Sequence, residues 1–192
     1  MIELKNISFS YGEQQILNNF NLNVNEGECV QLYGTSGSGK TTVLRIILGL
    51  ENVIIGNVIV PQKISTVFQE DRLLENKDVL SNVRLVIPNE KYPIADALIK
   101  EFGLWDDRKK RVSQLSGGMK RKVAIIRAIV YDGDALILDE PFNGLDSDNK
   151  KIIAQVIKRE FLNKSKPVLL ITHIKEDAQL LNAKVIEICG NC

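Results

Sequence analysis

The residue pattern with the clearest chemistry is a glycine-rich run at residues 34–42 that matches G-x-x-x-x-G-K-[ST]. It follows the apolar run 29–33 and precedes the largely apolar, helix-like segment 43–48. A strand, a glycine-rich loop and a helix in this order are the context in which the pattern forms a phosphate-binding loop. The candidate nucleotide-binding residues are Gly34, Thr35, Ser36, Gly37, Ser38, Gly39, Lys40, Thr41 and Thr42.

The loop owes its chemistry to its backbone as well as to its side chains. Its glycines let successive N–H groups point inward and form a nest that binds anions. The helix predicted to start at Lys40 adds the positive end of its dipole. Lys40 can then reach the β- and γ-phosphates of a nucleotide, and the Thr41 hydroxyl can ligate Mg²⁺. The alternative is a glycine-rich turn that happens to precede a lysine, and the flanking strand and helix argue against it. The pattern therefore predicts a nucleotide-binding protein.

Two adjacent carboxylates, Asp139 and Glu140, directly follow the continuous apolar run 135–138. Such a run is expected of a buried parallel strand. In open α/β sheets, ligands bind beyond the carboxyl ends of the strands. We therefore expect Asp139 to hold Mg²⁺ through water and Glu140 to polarise the attacking water. The alternative, an acidic turn after a strand, loses weight in a chain that also carries a phosphate-binding loop.

His173 is the only histidine of the chain and follows the apolar run 168–171 and Thr172. A lone histidine is more often structural or simply exposed than functional. Its predicted strand, however, runs parallel to the strand that precedes Glu140, so both side chains should lie at one edge of the sheet. We therefore predict that His173 reaches the γ-phosphate.

A second anion-binding pattern, Leu-Ser-Gly-Gly, ends at Gly118 and opens a helix predicted over 116–130. A serine and two glycines at a helix N-terminus can bind a phosphate. One phosphate site does not need two such cradles within one subunit. We therefore expect Ser116, Gly117 and Gly118 to complete the ATP site of a second copy, with an ordinary Ser-Gly helix start as the alternative. The basic side chains expected away from the apolar face of this helix are Lys120, Arg121, Lys122 and Arg127.

Length and composition limit the class of protein. The 192 residues suffice for one domain with a substantial core. The 25 Lys and Arg residues nearly cancel the 24 Asp and Glu residues, so no basic excess marks a nucleic-acid-binding protein. Cys29, Cys189 and Cys192 lack metal-ligand spacing, and their odd number suits a reducing compartment better than a disulfide framework. The sequence shows no signal peptide and no membrane-spanning run, so work at a membrane would require a spanning partner chain.

Apolar periodicity predicts an α/β fold with a mostly parallel sheet and helices on both faces. The region around 72–130 is predicted to be a small helical subdomain inserted into this core, within a single domain over 1–192. The predicted strands cover 2–9, 20–24, 28–33, two short stretches within 52–68, 135–138, 168–171 and 184–189. The predicted helices cover 40–49, 78–87, 94–102, 116–130, 147–162 and 175–182.

These motifs, in this order, resemble those of the ATP-binding-cassette (ABC) ATPases, and the resemblance covers residues 2–188. It implies a P-loop NTPase core with a small N-terminal antiparallel β-subdomain and an inserted helical subdomain. Residues 34–42 resemble the Walker A loop of that family and residues 135–139 resemble Walker B. Residues 115–118 resemble the family signature, and 143–146 resemble the D-loop.

The resemblance also assigns roles to single residues. It implies that Tyr11 stacks on adenine and that Gln69 is the Q-loop glutamine, near both Mg²⁺ and the attacking water. It implies that Glu140 is the catalytic base and His173 the switch histidine. Asp139, Thr41 and Gln69 are the expected metal-site residues, and ATP and Mg²⁺ are the expected ligands.

Within the family, residues 68–74, 82–83 and 115–119 resemble the nitrate, sulfonate and taurine importers. The Pro-Trp that often follows the double leucine in that branch is absent. Arg121 and Lys122 stand where Gln-Arg is usual, and Ile174 replaces the Asp that often follows the switch histidine. The stretch from Lys40 to Gln69 is also shorter than usual, which implies a trimmed β-subdomain.

The resulting expectation is an ATP-hydrolysing subunit that energises an ABC membrane transporter, an importer of a small solute such as an anion or a sulfonate. The expected partners are a second, identical ATPase subunit, integral-membrane permease subunits and an extracytoplasmic solute-binding protein, with no nucleic acid. The expected location is cytoplasmic, peripheral on the inner face of the cell membrane. The alternatives are an exporter ATPase, a soluble ABC ATPase of DNA repair or translation, and a P-loop kinase.

Overall fold

Two β-sheets organise residues 1–188, the part of the chain that this computed structural model describes. The strands are β1 (Ile2–Tyr11), β2 (Gln14–Val24), β3 (Cys29–Tyr33), β4 (Ile55–Ile59), β5 (Ile64–Val67), β6 (Ala135–Asp139), β7 (Val168–Thr172) and β8 (Lys184–Glu187). A five-stranded parallel sheet has the order β5-β6-β7-β3-β8, and a three-stranded antiparallel sheet has the order β2-β1-β4. The predicted α/β class, parallel core and N-terminal antiparallel sheet are confirmed.

The helices pack around the parallel sheet and link its strands. They are α1 (Lys40–Ile47), α2 (Val79–Arg84), α3 (Tyr92–Glu101), α4 (Gly117–Tyr131), α5 (Ser147–Glu160) and α6 (Asp177–Leu181). Helices α2, α3 and α4 lie between β5 and β6 in the chain, where the inserted helices were expected. Their extent as a subdomain over 72–130 stays a prediction. None of the helices within residues 1–188 is both long and apolar enough to cross a bilayer.

The parallel sheet is buried on both faces, because alternate residues of each central strand enter different cores. Leu136 and Leu138 of β6 pack into the core formed with α2 to α5. Ala135 and Ile137 of the same strand pack into the core formed with α1 and the antiparallel sheet. Burial on both faces explains the continuous apolar runs of these strands.

The antiparallel hairpin is longer than predicted. Strand β2 begins at Gln14 instead of residue 20. It pairs with β1 along its whole length, from Gln14 opposite Tyr11 to Val24 opposite Ile2. The register shifts between Leu4 and Ile7, next to Asn6, which has a φ of +55°. This bulge accounts for the break in the apolar alternation of the first strand.

Proline explains two differences in the helical region. Helix α2 ends at Arg84 rather than near residue 87. Pro88 follows Ile87, and proline disfavours helical backbone at the residue before it. Helix α3 begins at Tyr92, two residues earlier than predicted, with Pro93 in its first turn, where the missing N–H costs nothing. The last strand ends at Glu187; the predicted end at 189 and the cysteines 189 and 192 lie outside the described residues.

Candidate functional site

The predicted phosphate-binding loop joins β3 to α1, as the sequence indicated. Gly37 and Gly39 adopt φ values of +81° and +101°, backbone conformations that favour glycine. The Lys40 Nζ donates hydrogen bonds of 2.7 Å to the carbonyl oxygens of Gly34 and Thr35. The lysine thus folds back over the loop and places its charge beside the loop backbone.

A close approach of the backbone makes Gly34 necessary. A Cβ atom at this position would lie 2.5 Å from the Ile188 carbonyl oxygen and 2.6 Å from Ser38 Oγ. Ser38 is itself buried, and its Oγ has no hydrogen-bond partner in the described structure. The loop is therefore held tightly against the residue that follows β8.

A cavity of about 610 Å³ opens beside this loop at the carboxyl ends of β3, β6 and β7. It is large enough for a nucleotide phosphate chain and ribose. Ile16 and Tyr33 are lining residues that the sequence did not single out. The predicted site residues that line the cavity are Gly34, Thr35, Ser36, Gly37, Gly39, Lys40, Thr41, Thr42, Gln69, Asp139, Glu140 and His173.

Glu140 is held by hydrogen bonds from the end of β7. Its Oε1 accepts the His173 main-chain N–H at 3.0 Å and lies 2.7 Å from His173 Nδ1. Its Oε2 accepts the Thr172 hydroxyl at 3.1 Å. Its backbone has a φ of +49°, which is uncommon for a residue with a side chain. Glu140 is buried, whereas the His173 side chain is exposed. The two residues therefore meet at the mouth of the cavity, as the sequence predicted.

The charges of the site influence each other's protonation. Burial raises the pKa of Asp139, the nearby Glu140 charge raises it further, and the Gln69 backbone N–H, Arg121 and Lys40 oppose the rise. Burial lowers the pKa of Lys40, and Glu140 and Asp139 oppose that fall. The repulsion between two carboxylates beside a single lysine would be reduced by an additional cation.

The donor set fits Mg²⁺. Asp139, Thr41 and Gln69 line the same cavity and offer a carboxylate, a hydroxyl and an amide oxygen. Mg²⁺ prefers oxygen ligands and is usually bound through one or two carboxylates together with substrate phosphates. Within residues 1–188, no cluster of three or more His, Cys, Asp or Glu side chains could hold a metal by itself. Any metal here would therefore bind together with the nucleotide.

Residues 17–143 match the protein-family model described as ABC transporter, which is well over half of the chain. The chain belongs to the ABC transporter family. It is the ATP-binding component, which in this family is an ATPase.

Similar proteins agree with this assignment. The chain is 37% identical to the aliphatic sulfonates import ATP-binding protein SsuB 1 of Rhodococcus jostii, over 96% of this chain and 78% of that protein. It is 36% identical to the spermidine/putrescine import ATP-binding protein PotA of Legionella pneumophila, over 97% of this chain but only 56% of that protein. A solved dimeric ATP-binding cassette in a post-hydrolysis state, bound to ADP and Pi, matches with a TM-score of 0.85 and 29% identity, over 98% of this chain and 94% of that one.

In this ABC ATPase, the signature residues lie apart from the phosphate-binding loop. Ser116 caps α4 by accepting the Met119 N–H at 3.3 Å, as expected of a helix N-cap. Gly117 and Gly118 form the first turn, and none of the three lines the cavity. Gly118 packs near Gly144, because a Cβ built at Gly118 would lie 3.4 Å from the Gly144 carbonyl oxygen. A role for these residues in a partner's site stays a prediction.

Tyr11 also lies outside the cavity lining. Its ring contacts Phe9 edge to face, with 4.9 Å between the ring centroids. Its hydroxyl donates to Glu51 Oε1 at 2.9 Å, and the side chain is substantially exposed. An exposed aromatic ring can accept a stacked base, and that role for Tyr11 stays a prediction.

Sequence reasoning missed the function of Arg121. This residue was expected away from the apolar face of its helix, yet it is only 7% exposed. Its guanidinium donates to the carbonyl oxygens of Phe68 and Gln69 and lies 3.1 Å from Asp71 Oδ1. Arg127 donates to the carbonyl oxygens of Asp71 and Arg72 at 2.9 Å. Helix α4, which begins at the signature, therefore holds the backbone of the Q-loop at both ends.

Proposed function

We propose that this chain binds Mg·ATP in the cavity at the carboxyl ends of β3, β6 and β7 and hydrolyses it to drive import of a small solute by a membrane transporter. One observation carries the proposal. A single cavity collects the phosphate-binding loop together with Gln69, Asp139, Glu140 and His173. Phosphoryl transfer to water requires this combination of anion binding, metal binding and water positioning.

Each group has a separate task in this proposal. The loop N–H groups and Lys40 bind the β- and γ-phosphates and stabilise the charge that develops on them. Glu140 accepts a proton from the attacking water, and the main-chain N–H and Nδ1 of His173 fix one oxygen of its carboxylate. Thr41, Asp139 and Gln69 would hold Mg²⁺, which supplies charge neutralisation of the phosphate oxygens when bound. Lys40 exchanges its bonds to the loop carbonyls for bonds to the nucleotide.

The proposal includes a dimer of two copies of this chain. The signature residues 116–118 do not line the cavity of their own chain, although a helix N-terminus with a serine cap suits a phosphate. In a dimer, the signature of one chain would close the ATP site of the other. The similar solved cassette that is described as dimeric supports this arrangement.

The transport role is inferred from the relatives. SsuB 1 is named for aliphatic sulfonate import and PotA for spermidine and putrescine import, so similar ATPases serve an anion and a cation. The solute must therefore be selected by partner chains. Those partners would be permease subunits and an extracytoplasmic solute-binding protein, and the ATPase would be peripheral on the cytoplasmic face of the membrane.

The sulfonate branch is favoured for the solute because its motifs appear at residues 68–74 and 115–119. Neither relative described above favours the DNA-repair, translation or kinase alternatives.

The transport role is tested by gentle affinity purification of the tagged chain from solubilised native membranes, followed by mass spectrometry. The same tag on an unrelated cytoplasmic protein is the control. A multi-spanning partner that is retained when ATP is added is the expected result. Recovery of ribosomes or nucleic-acid-binding proteins without any membrane protein would overturn the transport role and leave only the ATPase.

The solute class is tested after the complex has been reconstituted in vesicles with its binding protein. ATP hydrolysis should rise when an alkyl sulfonate is added on the binding-protein side, and spermidine serves as the charge-reversed control. Stimulation by spermidine without a response to the sulfonate would refute the anion assignment.

A further inference from the structure

The proposed catalytic carboxylate shares a buried hydroxyl with a second carboxylate that has no role in the mechanism above. Thr172 Oγ1 lies 3.1 Å from Glu140 Oε2 and 3.3 Å from Asp177 Oδ2. Thr172 is fully buried and Asp177 is 4% exposed. Thr172 Oγ1 also accepts the Ile174 N–H at 3.1 Å. The hydroxyl therefore stands between two carboxylates in a site that little water enters.

One hydroxyl carries one proton, so Thr172 can donate to Glu140 or to Asp177 but not fully to both. An ionised carboxylate is only an acceptor. Asp177 has a counter-charge for its ionised form, because Lys150 Nζ of α5 lies 3.4 Å from Asp177 Oδ1. Glu140 and Asp177 thus compete for the same proton.

This competition changes what Glu140 can do. A donated hydrogen bond occupies the carboxylate oxygen that accepts it and holds that oxygen in place. The Oε1 of Glu140 is already engaged by His173, so Oε2 is the oxygen that Thr172 controls. When Thr172 donates to Asp177 instead, Oε2 becomes available to a water molecule. The buried hydroxyl keeps a partner throughout, which avoids the penalty of an unpaired buried donor.

We propose that Asp177 is a positioning residue that acts on Glu140 through the single proton of Thr172. Asp177 competes with Glu140 for this hydroxyl and so leaves Oε2 of Glu140 free to turn towards the attacking water. This inference rests on the proposed role of Glu140 as the base of ATP hydrolysis. Asp177 contacts neither the nucleotide nor the metal in this account.

The first test is the variant Asp177→Ala, assayed for steady-state ATP hydrolysis. Without the competing carboxylate, Thr172 donates to Glu140 permanently, and kcat should fall roughly three- to tenfold, the scale of one ordinary hydrogen bond. The KM for ATP should stay within about twofold, because the loop that binds the phosphates is untouched. Glu176→Ala is the matched control, since Glu176 is an exposed acidic neighbour whose side chain makes no capping bond to the helix.

A double-mutant cycle separates this role from a merely structural one. In a Thr172→Val background, adding Asp177→Ala should leave kcat unchanged, because the shared hydroxyl is gone. In a Thr172→Ser background, where the hydroxyl is kept, the full effect of Asp177→Ala should return. If Asp177→Ala does not fold, the isosteric Asp177→Asn replaces it, and its weaker neutral acceptor should change kcat in the same direction.

The outcomes distinguish the inference from the proposed function. The inference would be overturned if Asp177→Ala lowered kcat equally in the unmodified chain and in the Thr172→Val variant. It would also be overturned if Asp177→Ala lowered kcat in neither. If Glu140→Gln is inactive while the cycle is additive, only the inference fails. If Glu140→Gln hydrolyses ATP normally, the proposed role of Glu140 fails first.

Discussion

Replacing Arg121 by Met would test whether α4 holds the Q-loop in place. Methionine keeps much of the side-chain volume but removes two bonds from a charged donor, to the carbonyl oxygens of Phe68 and Gln69. Such bonds contribute about 1.5 kcal/mol each at the lower limit, and Gln69 is exposed enough for water to replace part of the loss. We therefore expect the free energy of unfolding to fall by about 2–3 kcal/mol.

The loss of Arg121 also leaves Asp71 without its closest cation. Asp71 Oδ1 is buried and lies 3.1 Å from Arg121 Nη1, but outside hydrogen-bonding geometry. Burial already raises the pKa of Asp71, and the Arg121 charge opposes that rise. Removing the arginine should therefore raise this pKa further, so that Asp71 takes up a proton more readily and part of the expected destabilisation is relieved.

The assay is thermal unfolding followed by circular dichroism, combined with ATPase kinetics. For a chain of this size, about 2–3 kcal/mol corresponds to a Tm lower by roughly 4–12 °C. Lys120→Met is the matched control on the same helix, because Lys120 pairs with the exposed Glu75 and its replacement should shift Tm by less than about 4 °C. Arg121→Gln, which can keep one of the two bonds, should lie between the variants. A Tm for Arg121→Met equal to that of the control, with unchanged kcat, would refute this reasoning.

Three further predictions address the ion pairs, the dimer and the loop. Hydrogen bonds from Lys166 and, to a smaller extent, Lys91 lower the pKa of Asp132 to about 2. The ionised carboxylate therefore stabilises the fold at any pH above its unfolded pKa of about 4. This contribution is lost as the pH falls from about 4 through 2. Asp132→Asn should lower the free energy of unfolding by at most about 1 kcal/mol at pH 7, because the ion pairs of Asp132 are partly exposed. The difference in Tm between this variant and the unmodified chain should shrink at acid pH and in about 1 M salt. A difference that stays the same under both conditions would contradict the proposed role of this carboxylate. Mixing Lys40→Met chains with Gly117→Asp chains should restore ATPase activity, since one mixed site keeps an intact loop and an intact signature, whereas no recovery would refute the dimer. Gly34→Ala should weaken ATP binding by more than about tenfold in calorimetry, because a Cβ meets backbone at 2.5 Å; normal affinity would show that the loop relaxes easily.

The sequence predicted the composition of the site better than its supporting contacts. Glu140 and His173 were expected together because parallel strands end at one edge of a sheet, and the structure joins them at 2.7 Å. The phosphate-binding loop was predictable from local sequence, because its glycine-rich pattern is preceded by a strand pattern and followed by a helix pattern. Local spacing and sheet topology were sufficient for these residues.

The contacts of Arg121 and Asp177 depend on packing between distant segments. Arg121 bonds to carbonyl groups that lie 52 and 53 residues away in the chain. Helical periodicity assigned it to a polar face, because periodicity cannot show that a loop with unsatisfied carbonyl groups covers that face. Asp177 carried no sequence signal of its own, and only the fold reveals that it approaches Thr172. Strand β2 was underestimated for another reason. Its first half is mostly polar, and its two apolar residues, Ile16 and Leu17, are adjacent instead of alternating. The hairpin bulges further disturb the alternation on which strand prediction depends.

The variant Glu140→Gln, assayed in the presence of ATP and Mg²⁺, tests the proposed mechanism at its reacting group. We expect that ATP binding is retained and that turnover falls by roughly 10²–10⁴, the usual contribution of a general base. We also expect that the nucleotide-bound dimer accumulates and can be isolated by size-exclusion chromatography with light scattering. A variant that hydrolyses ATP at the rate of the unmodified chain and elutes only as a monomer would show that Glu140 is not the base in a site shared between two copies.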